Sequence, residues 1–184
     1  GIAVVIALAA IYAQQVMGFS TAQTMMLILV VNLTAAAGAF AFGYVQDALG
    51  HKRALALTIA LWILMVLVAA LAVSAPLFWL AANLAGLAMG ASQSAGRAMV
   101  GVFAPRARLA EFYGFWNVAV WLAAILGPVT YGLVTWLTGN NQRLAILVTG
   151  LYFVAGLLAL IPVNVGRGEA AAAAADAEDA TAPR

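Results

Sequence analysis

A short segment between two apolar runs concentrates polar and charged side chains in an otherwise apolar chain. Residues 42–53 read FGYVQDALGHKR, and the residues in it that could do chemistry or shape the backbone are Gly43, Asp47, Gly50, His51, Lys52 and Arg53. The chain has one histidine and no cysteine, so a Ser–His pair, a metal–His cluster or a thiol nucleophile has no second member. We therefore expect no enzyme, no metal site and no cofactor. The segment suits electrostatic contacts, because a carboxylate such as Asp47 is stabilised near the positive N-terminus of a neighbouring helix.

Six of the amide side chains within the long apolar runs are candidate functional residues. They are Gln14, Gln15, Asn32, Asn83, Gln93 and Asn117. A polar group in lipid is costly, so such residues normally face protein or a water-filled cavity. Hydrogen bonding between packed helices is the simpler interpretation of any one of them. As a set, they are our candidates for lining a cavity that binds a small molecule.

Arg97 and Glu111 flank the connection that follows the fourth apolar run. Arg97 precedes Pro105 by eight residues, which is about 12 Å of helix inward from the loop. It can pair with Glu111 across the loop, extend to the membrane surface or face a water-filled pathway, and all three readings stay open. Glu111 and Asp47 are the only acids before the C-terminal tail. We expect no carboxylate at mid-membrane, and we group Arg97 and Glu111 with the charged residues of the 42–53 segment as candidate gate residues.

The elements that position these residues are predicted to be membrane-spanning helices. Of the 184 residues, 66% are hydrophobic and 8% are charged, against about 25% charged in soluble domains; the mean hydropathy is +1.06. Six apolar runs approach or exceed the length of a bilayer core, about 20 residues of helix. These spans one to six cover residues 1–17, 22–45, 54–74, 77–103, 112–138 and 144–163. They lack the alternation of a membrane barrel, so the sequence predicts an all-α integral membrane protein with a six-helix bundle over residues 1–164.

Polar residues are unevenly shared between these spans. Span three has Thr58 as its only polar side chain before Ser74, and span six has Thr149 and Tyr152. The other four spans hold the six amides and Arg97. We therefore expect spans three and six to face lipid, and spans one, two, four and five to pack together or to line a cavity.

Glycine and proline mark two further features. Gly86, Gly90 and Ser94 form a small-residue stripe in span four, which allows close helix packing. Gly127-Pro128 lies near the middle of span five, where proline removes a backbone donor and clashes with the preceding turn. We expect a helix break or kink at that point.

The basic residues predict the orientation. They follow spans two, four and six, whereas the opposite side has only Arg143; the bases on the richer side are Lys52, Arg53, Arg106, Arg108 and Arg167. The positive-inside rule then places both ends of the segment in the cytoplasm. These bases are spread over several loops and form no patch, so we expect no nucleic-acid partner.

The two ends of the chain have different compositions. The chain starts with glycine inside an apolar run and lacks the basic region of a signal peptide, so we expect a fragment of a longer protein. Residues 165–184 read VGRGEAAAAAADAEDATAPR. This tail has no apolar face to bury, and the sequence predicts a disordered cytoplasmic tail.

The 42–53 segment also resembles a known motif. It matches G-x-x-x-D-x-x-G-x-[KR]-[KR], the loop between the second and third helices of a half-molecule in the major facilitator superfamily. Three later segments, GASQSAGRAM (90–99), PRARLAEFYGFWN (105–117) and ILGPVTYGLVTWLTGNNQRLAIL (125–147), resemble the C-terminal half of the vacuole effluxer family and its bacterial relatives. The matching positions are Gly90, Ser92, Gln93, Arg97, Glu111, Phe112, Tyr113, Gly114, Phe115, Trp116, Leu126, Gly127 and Pro128. The resemblance covers nearly the whole chain to about Val163.

The resemblance implies the C-terminal half of a secondary transporter in the bacterial cytoplasmic membrane. Such a protein would export amino acids or similar small solutes by alternating access. The partners it implies are membrane lipid, the solute and an N-terminal six-helix half, one helix of which would touch Asp47. Two alternatives stay open: a six-span scaffold or assembly protein that homodimerises without transporting anything, and a half-transporter that works as a dimer of two copies.

Overall fold

The computed structural model describes residues 13–14 and 17–181, and every regular element in that part of the chain is helical. The helices are α1 (Thr21–Leu49), α2 (His51–Leu71), α3 (Ala75–Phe103), α4 (Leu109–Leu137), α5 (Gln142–Leu160) and α6 (Val165–Thr181), with a 3₁₀ turn at Arg106–Arg108. Five of these described helices, α1 to α5, are long and apolar enough to cross a membrane. The predicted all-α membrane fold is confirmed. Span one lies outside the described residues, apart from residues 13, 14 and 17.

The motif at residues 42–53 is helical rather than a loop. α1 continues to Leu49, and α2 begins at His51. Only Gly50 lies between them, with a φ of 81° and its N–H bonded to the Gln46 carbonyl at 2.8 Å. A side chain is strained at that φ, so glycine permits the sharp reversal. The other described spans match their helices to within about three residues at each end, as expected for boundaries read from composition.

α1 and α3 approach each other more closely than side chains would allow. A Cβ atom at Gly38 would overlap the Leu87 carbonyl, and one at Gly90 would overlap the Ala35 carbonyl. Gly86 likewise lies directly against Thr34. The predicted small-residue stripe therefore packs against α1. Close backbone approach of this kind is what holds helices together in lipid, where no hydrophobic driving force acts between them.

α2 and α5 form a second packed pair on the other side of α3. The Trp62 ring stacks on the Phe153 ring with centroids 5.1 Å apart and planes 4° from parallel. Gly150 of α5 lies against Val66 of α2. α4 packs chiefly on α5, and only two of its residues, Gly127 and Tyr131, are buried. α4 is therefore the least enclosed of the long helices described.

Basic side chains make hydrogen bonds between neighbouring helices at both ends of the bundle. The Lys52 ammonium donates to the carbonyls of Ile161 and Val163, both at 2.7 Å, which brings the α1–α2 turn to the end of α5. At the other end, the Arg143 guanidinium donates to the Ala72 carbonyl at 3.3 Å. We call the first end the basic end, because it has Lys52, Arg53, Arg106, Arg108 and Arg167. Its placement in the cytoplasm stays a prediction.

The predicted break at Gly127-Pro128 does not interrupt the helix. α4 is continuous from Leu109 to Leu137 with Pro128 inside it. Proline removes one backbone hydrogen bond of a 29-residue helix, and lipid offers the freed groups no better partner in any other conformation. The remaining bonds therefore keep the segment helical.

The C-terminal tail differs from the expectation of disorder, since Val165–Thr181 forms α6. The Asn164 side chain accepts a hydrogen bond from the Arg167 N–H at 3.0 Å and so caps the helix. A run of alanines follows, and alanine has the highest helix propensity of any residue type. Gly168 packs on the Phe103 ring, and Ala172 is buried. Small residues thus supply the packing face that the composition seemed to lack.

Candidate functional site

The centre of the 42–53 motif is a hydrogen-bonded glutamine that the sequence did not single out. The Gln46 side chain is 5% exposed. Its amide nitrogen donates to the Ser94 hydroxyl of α3 at 3.2 Å and to the Phe42 carbonyl at 3.1 Å. Its oxygen lies 3.3 Å from Nδ1 of His51, which must be the donor because that oxygen can only accept. His51 is therefore a half-buried structural residue, and the motif is tied to α3 through Gln46.

Asp47, the next residue, faces away from these contacts. Its side chain is exposed in the last turn of α1. Among residues 13–14 and 17–181 its carboxylate forms no ion pair. Gly43 lies one helical turn earlier on the same face, and a Cβ there would meet nothing within 4 Å. Neither the acid nor the glycine is explained by contacts within the described chain.

The two bases of the motif have different surroundings. Lys52 is half-buried and its ammonium donates to two carbonyls just past the C-terminus of α5, where the helix dipole is negative and favours a cation. Arg53 is exposed. Lys52 is therefore used to join α2 to α5, and only Arg53 is free to meet groups beyond the described chain.

Arg97 and Glu111 do not form the ion pair that was one of their open interpretations. Both side chains are exposed, and the described residues contain one ion pair, between Arg106 and Asp176. Instead, α3 and α4 meet through Tyr113, whose hydroxyl donates to the Arg97 carbonyl at 3.2 Å. Near the same point the Trp116 ring lies directly against Gly96. Aromatic residues of α4 therefore make the contact with α3 at this point, where an ion pair was one of the three interpretations left open.

The candidate cavity residues that the structure describes are exposed, except Asn83, which is half-buried. Asn32 is exposed and Asn83 half-buried, and each donates to the carbonyl four residues earlier in its own helix, at 2.8 Å. Gln14, Gln93 and Asn117 are exposed, and Gln15 lies outside the described residues. The amide nitrogens of Asn32 and Asn83 therefore donate within their own helices, and not between helices as in the simpler interpretation. Gln93 and Arg97 are one turn apart on the same exposed face of α3.

A second contact that the sequence analysis missed joins α2, α3 and α5. The Trp62 indole N–H donates to the Ser92 hydroxyl at 2.8 Å, and Ser92 donates to the Ala88 carbonyl at 2.6 Å. Trp62 is 1% exposed and stacks on Phe153. A signal was available, because a tryptophan in an apolar span needs an acceptor for its N–H and Ser92 is polar in the next span.

The threonines of spans three and six are satisfied locally. Thr58 donates to the Leu55 carbonyl at 2.8 Å, and Thr149 donates to the Ile146 carbonyl at 2.7 Å. Both side chains are buried. Tyr152 is exposed and its hydroxyl bonds to that of Thr130 at 2.6 Å. α2 and α5 therefore present few free polar groups, and the outward-facing amides lie on α1, α3 and α4.

A bundle of long apolar helices, with a motif-bearing turn at its basic end, is the architecture of half a major facilitator transporter, an integral membrane protein. The family model described as vacuole effluxer Atg22 like matches residues 1–173, and the chain belongs to this family. It is also similar to a curated protein of Bacillus subtilis (strain 168) described as an uncharacterized MFS-type transporter, YxiO, with 24% identity over 164 residues. That match covers 88% of this chain and 38% of the relative, so the chain spans well under half of that protein's length. No solved structure matches the chain.

Proposed function

We propose that this chain is the C-terminal half of a secondary active transporter that exports amino acids or similar small solutes by alternating access. The observation that carries the proposal is the exposure of three amide side chains, Asn32 on α1, Gln93 on α3 and Asn117 on α4. In this class of protein the solute site lies near mid-membrane between two halves, which rock about it. Amides exposed in one half would then line that shared cavity once the other half is in place. Polar groups facing lipid instead would be costly.

The exposed face of the 42–53 motif supports a partner half at the basic end. Gly43 leaves room that no residue of the described chain fills, and Asp47 is an unpaired acid beside it. An incoming helix could approach closely over Gly43. The partial positive charge at that helix's N-terminus would be stabilised by Asp47. In this proposal, Asp47 is a gate residue that contacts the other half in only one of the transporter's two states.

The coupling ion would have to be handled outside the mid-membrane part of this half. Asp47 lies in the last turn of α1 and Glu111 in the first turn of α4, both at the basic end. The described residues of α1 to α5 contain no other acid. If export is coupled to protons, the acid that carries them would come from the other half of the transporter or be one of these two.

The test is solute flux through the full-length protein reconstituted in lipid vesicles. Vesicles loaded with a mixture of radiolabelled amino acids are expected to lose label faster than protein-free vesicles when an ion gradient is applied. Asn117→Leu should slow this flux about tenfold, the size of one polar contact to a bound solute. Leu151→Ala is the matched control, since Leu151 is similarly exposed but lies on α5.

Three results would each contradict a part of the proposal. If the folded protein moves no amino acid, amino acids are excluded as its substrates. If, in addition, an Asp47→Cys variant cross-linked two copies of the protein in the membrane, the homodimeric scaffold would be the better account. Equal flux in Asn117→Leu and wild type would exclude Asn117 from the cavity.

A further inference from the structure

α6 follows α5 at the basic end of the bundle and is held there at its first turns. Lys52 binds the carbonyls of Ile161 and Val163, immediately before the helix begins. Gly168 then lies directly against the Phe103 ring at the end of α3. A larger residue at 168 would have to displace that ring. The start of α6 is therefore fixed to the ends of α2, α5 and α3.

Farther along, α6 holds the turn between α3 and α4. The Asp176 carboxylate accepts a hydrogen bond from the backbone N–H of Arg106 at 2.7 Å. Its second oxygen lies 3.9 Å from Nε of the same arginine. A charge-assisted bond to a backbone N–H is among the stronger hydrogen bonds in proteins. The Arg106 side chain is 92% exposed, so salt screens the ionic contact and the backbone bond contributes most.

The other acids of the tail make no such contact. Glu169, Glu178 and Asp179 are exposed and form no ion pair within the described residues. General attraction between an acidic tail and a basic end would have distributed contacts over several of them. The single bond from Asp176 to one backbone N–H indicates a specific docking of α6 on this turn.

This turn is where α4 joins the rest of the bundle at the basic end. α4 otherwise packs mainly on α5 and meets α3 through Tyr113 and Trp116. A movement of α4 relative to α3 at this end must therefore bend or shift residues 104–108. Holding the Arg106 N–H restrains that shift.

We propose that α6 is a strap that fastens the α3–α4 turn to the bundle and slows the conformational cycle of the transporter, so that its release raises the rate of transport. The cycle itself rests on the proposed function above. Motions of loops and lids limit the turnover of many enzymes, and a transporter likewise has to change conformation in every cycle. A restraint on the turn that must move is then a restraint on the overall rate.

The experiment compares Asp176→Ala with Asp176→Asn and with Asp179→Ala in the full-length protein. Asparagine keeps an oxygen for the Arg106 N–H and removes only the charge, while Asp179 is the matched acid without a partner. Hydrogen exchange of the 104–108 segment is measured by mass spectrometry, and solute flux is measured in vesicles. Asp176→Ala should speed exchange of this segment about tenfold, the size of one charge-assisted hydrogen bond, and raise the flux severalfold. Asp176→Asn should fall between it and wild type, and Asp179→Ala should match wild type.

Each outcome bears on a different part of the inference. Unchanged exchange in Asp176→Ala would overturn the docking of α6, whatever the flux. Faster exchange with unchanged or slower flux would overturn the restraint on transport. If wild-type protein moves no solute, the proposed function fails, and the exchange measurement still decides whether α6 holds the turn.

Discussion

The glycines in the contact between α1 and α3 have a different role from those on the surface of α4. In the α1–α3 contact, Gly38 and Gly90 lie where any side chain would overlap a neighbouring backbone. On α4, Gly114 and Gly132 have nothing within 4 Å of a Cβ, and large apolar side chains around them are exposed. Packing thus requires glycine at positions 38 and 90, whereas no contact within the described chain requires it at positions 114 and 132.

The same contrast separates the tryptophans. Trp62 of α2 is 1% exposed, and Trp121 of α4 is 71% exposed. Both are apolar residues in predicted spans, and composition does not distinguish them. The helix carrying Trp62 is thus packed within the described bundle, whereas α4 presents a face that lipid or another helix must cover.

The largest expected change in stability is that of Trp62→Ala, compared with Trp121→Ala. Trp62→Ala should lower the free energy of unfolding by about 3–5 kcal/mol, because it leaves a cavity beside Phe153 and removes the bond to Ser92. Trp121→Ala should change it by less than about 0.5 kcal/mol. Denaturation of the purified protein by SDS in mixed micelles measures both. Similar losses in the two variants would mean that α4 is as enclosed as α2.

A smaller effect is expected from adding one methyl group in the α1–α3 contact. Gly90→Ala places a Cβ against the Ala35 carbonyl and should cost about 1–3 kcal/mol as the helices separate. Gly156→Ala in α5 is the matched control, because its Cβ meets open space; it should stabilise the helix by about 0.5–1 kcal/mol. Thermal unfolding in detergent compares them. A melting temperature of Gly90→Ala at or above that of wild type would refute the close approach.

The smallest expected changes in stability are those of two neighbouring residues of the motif, Gln46 and Asp47. Gln46→Leu should cost about 1–2 kcal/mol, because Ser94 and His51 lose their partner. Asp47→Asn should leave the stability of the protein within about 0.5 kcal/mol of wild type and slow transport by the full-length protein. SDS denaturation and vesicle flux measure the two quantities. A stability loss in Asp47→Asn equal to that in Gln46→Leu would place Asp47 in the fold rather than at a gate.

Several features of the site needed the tertiary structure because their partners are distant in sequence. Gln46 is one polar residue among many until Ser94, 48 residues later, is seen to bond to it. Lys52 was expected at a gate, yet its partners are carbonyls at the end of α5. Backbone carbonyls have no signature in sequence, so no pattern could have assigned this base to a helix cap.

The sequence by itself determined the class of the protein and the existence of its long helices. Apolar runs of bilayer length must be helical in lipid, since every backbone group needs a partner within the run. The motifs at residues 42–53, 90–99, 105–117 and 125–147 were enough to identify the family. An apolar run and a short motif are each contained in one stretch of the chain. Both can therefore be recognised without knowing the fold.

Only the tertiary structure decided which glycines are packed, which charges are used and whether the tail is ordered. Asp176 meets Arg106 across 70 positions of sequence, and the alanine-rich helix α6 packs through Gly168 on the Phe103 ring at the end of α3. Whether a side chain is buried depends on what the fold brings next to it. That information lies in the sum of many distant contacts rather than in any one segment of the sequence.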